Sequence, residues 1–147
     1  MLFVDIENLC GGSEQVAERY RAVQGEIATL LDNGPVAPTV IGHGPLVAWQ
    51  APNLRFDWPA RFVTGHGIDG ADLALVDAML NEPMAQRSAE VVIASGDGIF
   101  TDCALRLKER GIRVIVVSRP EALAARLAAV ADETMMLESL AVEQAVA

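Results

Sequence analysis

The chain has almost no lysine: Lys108 stands alone against ten arginines in 147 residues. Cysteine is nearly as scarce. Cys10 and Cys103 lie far apart and lack C-x-x-C spacing, which argues against a structural zinc site and against a disulfide framework. Two reduced, half-buried thiols are the expectation. No apolar run approaches the ~20 residues of a membrane helix. A charged n-region followed by an h-region is also missing, because Asp5 interrupts the first apolar stretch. These absences predict a soluble cytoplasmic protein with no membrane partner. The balance of charge is −9, which argues against gripping duplex nucleic acid by broad electrostatics. An acid-rich chain can still act on nucleic acid if its acids hold metal ions and a few arginines handle phosphates. Repeats and low-complexity linkers are absent, so one domain over residues 1–147 is expected, starting at the first residue, with ~70% of the unfolded chain's surface buried on folding.

What is present is an alternation of elements. "LFVDI" reads as a strand (2–6). "CGGSEQ" breaks the chain and starts a helix, with Ser13 as N-cap. Val16, Tyr20, Val23, Ile27, Leu30 and Leu31 then recur at helical spacing, and "DNGPVAP" stops them. "TVIG" and "ARFVTG" read as short strands, with a short helix near Leu46–Gln50 between them. A second helix from Asp69 carries Leu73, Val76 and Leu80 on one face and ends near "NEPM". "EVVIAS" and "IRVIVVS" are buried strands around the helix "GDGIFTDCALRLKERG". "RPEALAARLAAVA" is a helix, "TMML" a short strand, and residues 137–147 a C-terminal helical tail. Near-continuous apolar strands alternating with helices predict an α/β fold with a mainly parallel sheet of about five strands, covered on both faces. Right-handed crossovers place every strand C-terminus on one edge, where ligands bind in such folds.

Four carboxylates reach that edge. Asp5 ends the first strand, Asp97 follows "EVVIAS" directly, and Asp69 and Asp72 follow "ARFVTG". Neighbouring strands are only ~4.8 Å apart. Two unit charges at 4 Å repel by about 4 kcal/mol at an effective dielectric of about 20, and no lysine is near in sequence to offset them. A hard divalent cation, Mg²⁺ or Mn²⁺, resolves the crowding, since both favour carboxylate and water oxygens. Bland roles compete: Asp69 is a natural helix N-cap, Asp72 a natural first-turn acid, and Asp97 can cap the helix after it. A lone buried Asp5 would be costly. Asp77, ~140° around the helix from Asp72, should be solvated. Glu7 can face the site or turn away. His43 and His66, each beside a glycine after a strand, read more simply as ordinary loop histidines than as catalytic ones.

"FVDIEN", "GADLALVDAM" and "VVIASGDGIFTDCALRLKERGIRVIVVSRPEALAARL" resemble the NYN domains, a branch of the PIN-like nucleases. The likeness runs in order over most of the chain, leaving about residues 34–60 unanchored. It implies a Rossmann-like, three-layer α/β/α sandwich and an acidic pocket for Mg²⁺ or Mn²⁺. The implied activity is metal-dependent phosphodiester cleavage, most often of RNA. Asp5, Asp72 and Asp97 match the family's acidic ligands, and Asn8 the polar residue after the first strand that helps position ligand or water. Many relatives read "SGDxDF", with a second acid where this chain has Ile99. Either Asp102, one turn on, partly replaces it, or a second metal site is weakened.

On this reading a water attacks phosphorus while the cation offsets charge on the phosphate oxygens, and the RNA is single-stranded or locally open. Arg119 and Arg126 are the candidate phosphate contacts. Haloacid dehalogenase-type phosphatases and response-regulator receivers share parts of the pattern, but each needs a lysine this chain does not supply there. The rival of another class is a catalytically weak or inactive module of the same fold that binds RNA, nucleotide or a protein. Self-association stays open.

Overall fold

A computed structural model describes residues 1–31, 38–50, 53–55 and 57–137. Six parallel strands form one sheet in the order β3-β2-β1-β4-β5-β6: β1 Leu2–Asp5, β2 Thr39–His43, β3 Ala60–Thr64, β4 Glu90–Ala94, β5 Arg113–Ser118 and β6 Glu133–Met136. The sixth strand overlaps the "TMML" segment read as a short strand. The described helices are α1 Ile6–Cys10, α2 Val16–Leu30, α3 Pro45–Ala48, α4 Gly70–Asn81, α5 Pro83–Gln86, α6 Thr101–Glu109 and α7 Ala125–Val130. None is long and apolar enough to cross a membrane.

Alternation along β1 explains how both faces are filled. Leu2 and Val4 join a core with α1, α2 and Val47 of α3. Phe3 joins a second core with residues of α4, α5, α6 and α7. Because side chains alternate with period 2, Asp5 shares the side of Phe3 and faces the second layer. Helices on both faces of a parallel sheet make the three-layer α/β/α sandwich, and they explain why the central strands are apolar without interruption.

Several local expectations need correcting. The first strand ends at Asp5, and its final residue as read, Ile6, begins α1 instead. Ser13 caps no helix: Ser13–Gln15 is a 3-10 turn with no side-chain cap, and α2 starts at Val16. On α4 the buried face is Leu75, Ala78 and Met79, whereas Leu73 is 55% exposed and Val76 and Leu80 are only half-buried. The short size of Ala78 lets that face sit flat on the sheet, which spacing of the larger residues does not reveal. The segment read as one helix after β5 is a 3-10 turn, Pro120–Ala122, followed by α7. Most of the "DNGPVAP" breaker and, beyond Leu137, the C-terminal tail lie outside the described residues.

Between β1 and β4 the direction in which successive strands are added reverses, while all strands stay parallel. From β1 the chain crosses to β2 by α1 and α2 on one face, and from β4 it crosses to β5 by α6 on the other. At such a switch point the chain leaves two neighbouring strands in opposite directions, opening a crevice at their carboxyl ends.

Candidate functional site

Register brings the first members together. Val4 pairs with Ala94, so the next residues, Asp5 and Ser95, fall side by side. Ser95, fully buried, donates from Oγ to Asp5 Oδ2 at 2.9 Å and accepts the Asp97 N–H at 3.1 Å. One hydroxyl thereby ties the ends of β1 and β4. The other oxygen of Asp5 accepts the Asn8 N–H at 3.3 Å, and Asn8 Oδ1 accepts the Gly96 N–H at 3.1 Å. Asn8 thus braces α1 against the loop after β4. Asp5 itself is only 4% exposed.

Glycines bring Asp72 in. Gly42 pairs with Asp5 across β1 and β2, and a Cβ on it would stand 2.5 Å from Leu75 Cγ. Only glycine lets α4 lie so low over the strand ends. Gly65 and Gly70 cross backbone to backbone where a Cβ on Gly65 would collide with Gly70, which folds the chain tightly from β3 into α4. Asp72, one turn before Leu75, therefore lands within hydrogen-bonding reach of Asp5. Burial, then the Asp5 charge, pushes the Asp72 carboxyl up to about 8. Burial also raises Asp5, against the bonds from Ser95 and Asn8 and from Asp72. Two carboxyls so placed cannot both ionise cheaply, which favours keeping a proton between them in the absence of a cation.

A cleft of about 500 Å³ opens over this pair, and Asp5, Glu7, Asn8, Asp69, Asp72, Asp97 and Arg119 all line it. Asp97 Oδ1 accepts the Ile99 N–H at 3.0 Å, capping the 3-10 turn Gly98–Phe100. Glu7 faces the cleft side, its Oε1 accepting the Gly44 N–H at 2.9 Å. Asp69 also lines the cleft, but it takes a left-handed φ of 57° and makes no side-chain cap. Arg119, its side chain 13% exposed, donates from Nε to Asn8 O at 3.1 Å and from Nη1 to Glu121 at 2.7 Å.

Two expected members, Asp102 and Arg126, stand elsewhere. Asp102 does not line the cleft; it pairs with Arg106 at 3.0 Å, and its side chain is 75% exposed. It cannot stand in for the acid missing at Ile99, which packs against the second core. The 3-10 turn is the reason: it breaks the helical phase that would put positions 99 and 102 on one face. Arg126 lies against Gly98 rather than in the cleft. The histidines are also outside it. His43 is buried, with Nδ1 3.0 Å from Gly44 O and its ring edge-on to Phe62, and His66 is exposed. Asp77 is solvated and accepts from Asn81 Nδ2 at 2.7 Å. Ser95 and Gly42 escaped the sequence reading, because their importance follows only from which strands neighbour β1.

Among the described residues, no three or more His, Cys, Asp or Glu side chains are set to hold one ion. The donor set that fits a hard divalent cation is the Asp5–Asp72 pair. Mg²⁺ is commonly held through one or two carboxylates, with water and substrate phosphate completing its shell. Crowded carboxyls that hold a proton are also what a cation in its place would relieve.

Neither the curated proteins nor the solved structures include a match to the chain. A family model does match, that of the NYN domain, over residues 1–138. With nearly the whole chain covered and an acid-lined crevice at the switch point of a parallel sheet, the protein belongs to the NYN domain family, which has a PIN-like, nuclease-type fold.

Proposed function

We propose that the protein is a Mg²⁺- or Mn²⁺-dependent ribonuclease that cleaves phosphodiester bonds of single-stranded or locally open RNA. The observation that carries this reading is the Asp5–Asp72 pair at the switch point, with Asp97 on the same cleft. Asp5 and Asp72 would hold the cation, which when bound stabilises charge on the phosphate oxygens and makes water a stronger nucleophile.

The chain's own groups do the rest. Asp72, its carboxyl pushed up to about 8 by burial, would give its proton to solvent when a cation takes that place, and Ser95 and the Asn8 N–H keep Asp5 from turning away. Asp97, with Oδ1 engaged by the Ile99 N–H, leaves Oδ2 as the acceptor for water or substrate. Arg119, held on Asn8 O, offers its guanidinium to a phosphate. Bases in a duplex interior are beyond the reach of a cleft this size, which favours an open strand.

The test is turnover of single-stranded RNA with Mn²⁺ or Mg²⁺, beside the same reaction in chelator and with Asp97→Asn. Cation-dependent cleavage should fall by roughly a hundredfold or more in the variant. No cation-dependent turnover by the wild-type protein would remove the enzyme reading. Binding without turnover would instead support the inactive module, a reading favoured by the core packing of Ile99.

A further inference from the structure

A cleft walled by acids, in a chain of charge −9, repels the strand it is to receive. Most ion-paired arginines lie away from it: Arg61 with Glu82, Arg106 with Asp102, Arg113 with Glu90 and Glu133. Arg19 and Arg119 differ. They converge from α2 and from the end of β5 on one residue of the cleft lining, Gly11. A Cβ there would stand 3.2 Å from Arg19 Nη1 and 3.5 Å from Arg119 Nη1.

The convergence is built by α1. Gly11 closes that helix with a left-handed φ of 87°, a conformation that suits glycine. Arg19 Nη1 then donates to Cys10 O at 3.2 Å, and Arg119 Nε to Asn8 O at 3.1 Å. Both charges also act on the buried Cys10 thiol. Two like charges are therefore held beside the same glycine by helix-end carbonyls, which offset only part of their repulsion. Among the described residues Arg19 has no carboxylate partner, while Glu121 answers Arg119. A guanidinium has five N–H donors, and Arg19 spends one of them. The Glu14 carboxylate stands near Gly12.

We propose that Arg19 and Arg119, converging beside Gly11, seat a backbone phosphate of the strand next to the one that lies over Asp5 and Asp72. The identity of that strand rests on the ribonuclease reading; the anion chemistry does not. Planar guanidiniums suit phosphate oxygens because they give paired, charge-assisted hydrogen bonds. The glycine leaves the space beside them open.

The experiment measures anisotropy of a labelled single-stranded oligouridylate on the Asp97→Asn protein, at fixed Mg²⁺ across a KCl series. Arg19→Gln should weaken binding severalfold and lower the slope of log affinity against log salt by about 0.7. Arg19→Lys should restore the slope. In wild-type protein, the Arg19 and Arg119 Nε–Hε NMR signals should shift on adding strand, which needs no variant to fold. Inorganic phosphate should compete only at far higher concentration. Unchanged affinity and slope in Arg19→Gln, with only a lower melting temperature, would overturn the seat and leave Arg19 a helix cap. Competition by inorganic phosphate as strong as by the strand would overturn it in favour of a free-phosphate site. Strand binding that depends on Arg19, without cleavage by the wild-type protein, would sink the nuclease reading alone.

Discussion

The two helices α4 and α6 begin alike and end up differently. Each follows a strand of the same sheet, lies on the same face and carries an acid in its first turn, Asp72 or Asp102. Asp72 turns inward to Asp5, while Asp102 turns outward to Arg106. Helix phase makes the difference. Asp72 is one turn before the buried Leu75 and shares its side, whereas Asp102 precedes the buried Cys103 by a single residue and is swung off that face. The approach of the helix matters as much. Gly42, Gly65 and Gly70 let α4 descend onto the strand ends, while the 3-10 turn Gly98–Phe100 spaces α6 from β4 and spends its inward position on Ile99 and Phe100. An acid placed after a strand is thus a candidate, and the packing beneath its helix selects it.

The sharpest way to break this contrast is to remove each acid's charge. Asp72→Asn should lower cation-dependent RNA cleavage by roughly a hundredfold or more, and Asp102→Asn should leave it within about twofold, as expected for an exposed i,i+4 pair of small energetic weight. Equal losses in the two variants, read from initial rates, would erase the distinction.

Raising α4 tests the approach rather than the charge. Gly42→Ala puts a methyl against Leu75, so the helix must lift, at about 1–3 kcal/mol of stability. Denaturant melts should show that loss, with reduced cleavage. Adding Leu75→Ala should recover part of the activity, although the buried leucine's own loss keeps stability low. No recovery in the double variant would mean that Gly42 does not act through α4.

A pH profile tests the same pair without perturbing the packing of α4. Because the Asp72 carboxyl is raised to about 8 in the fold, the native state holds a proton that the unfolded chain releases above about pH 4. Stability of the cation-free protein should therefore fall as pH rises from about 4 to 8 and level off above. Asp72→Asn should flatten that decline, while Asp102→Asn should keep it; melting temperatures across the range decide. A wild-type profile that rises over this window would contradict the shared proton.

Much of the site was legible before the fold was known, because chemistry that needs several carboxylates leaves them at strand ends. Asp5, Asp69, Asp72 and Asp97 could be sorted to one edge from topology rules alone, and all four line the cleft. Arg119 follows its strand in the same way. Ser95 was not legible, since a serine before a glycine looks like turn chemistry until β4 is known to lie beside β1. Arg19 was hidden for a similar reason: it sits within an amphipathic helix and meets Arg119 only across 100 residues of chain. The open orientation of Glu7 is closed by a hydrogen bond to a backbone 37 residues away.

By itself, the amino-acid order determined the kind of layer structure, because strands buried on both faces must be apolar throughout and their crossovers have one hand. It also determined that the strand Leu2–Asp5 would bring a carboxylate to the carboxyl edge. Which acids meet was decided only in three dimensions. Strand order sets Ser95 beside Asp5, three glycines set the height of α4, and helix phase turns Asp72 in and Asp102 out. These are differences of an ångström or two and of one residue in phase. A sequence pattern averages over them, and a close-packed interior does not.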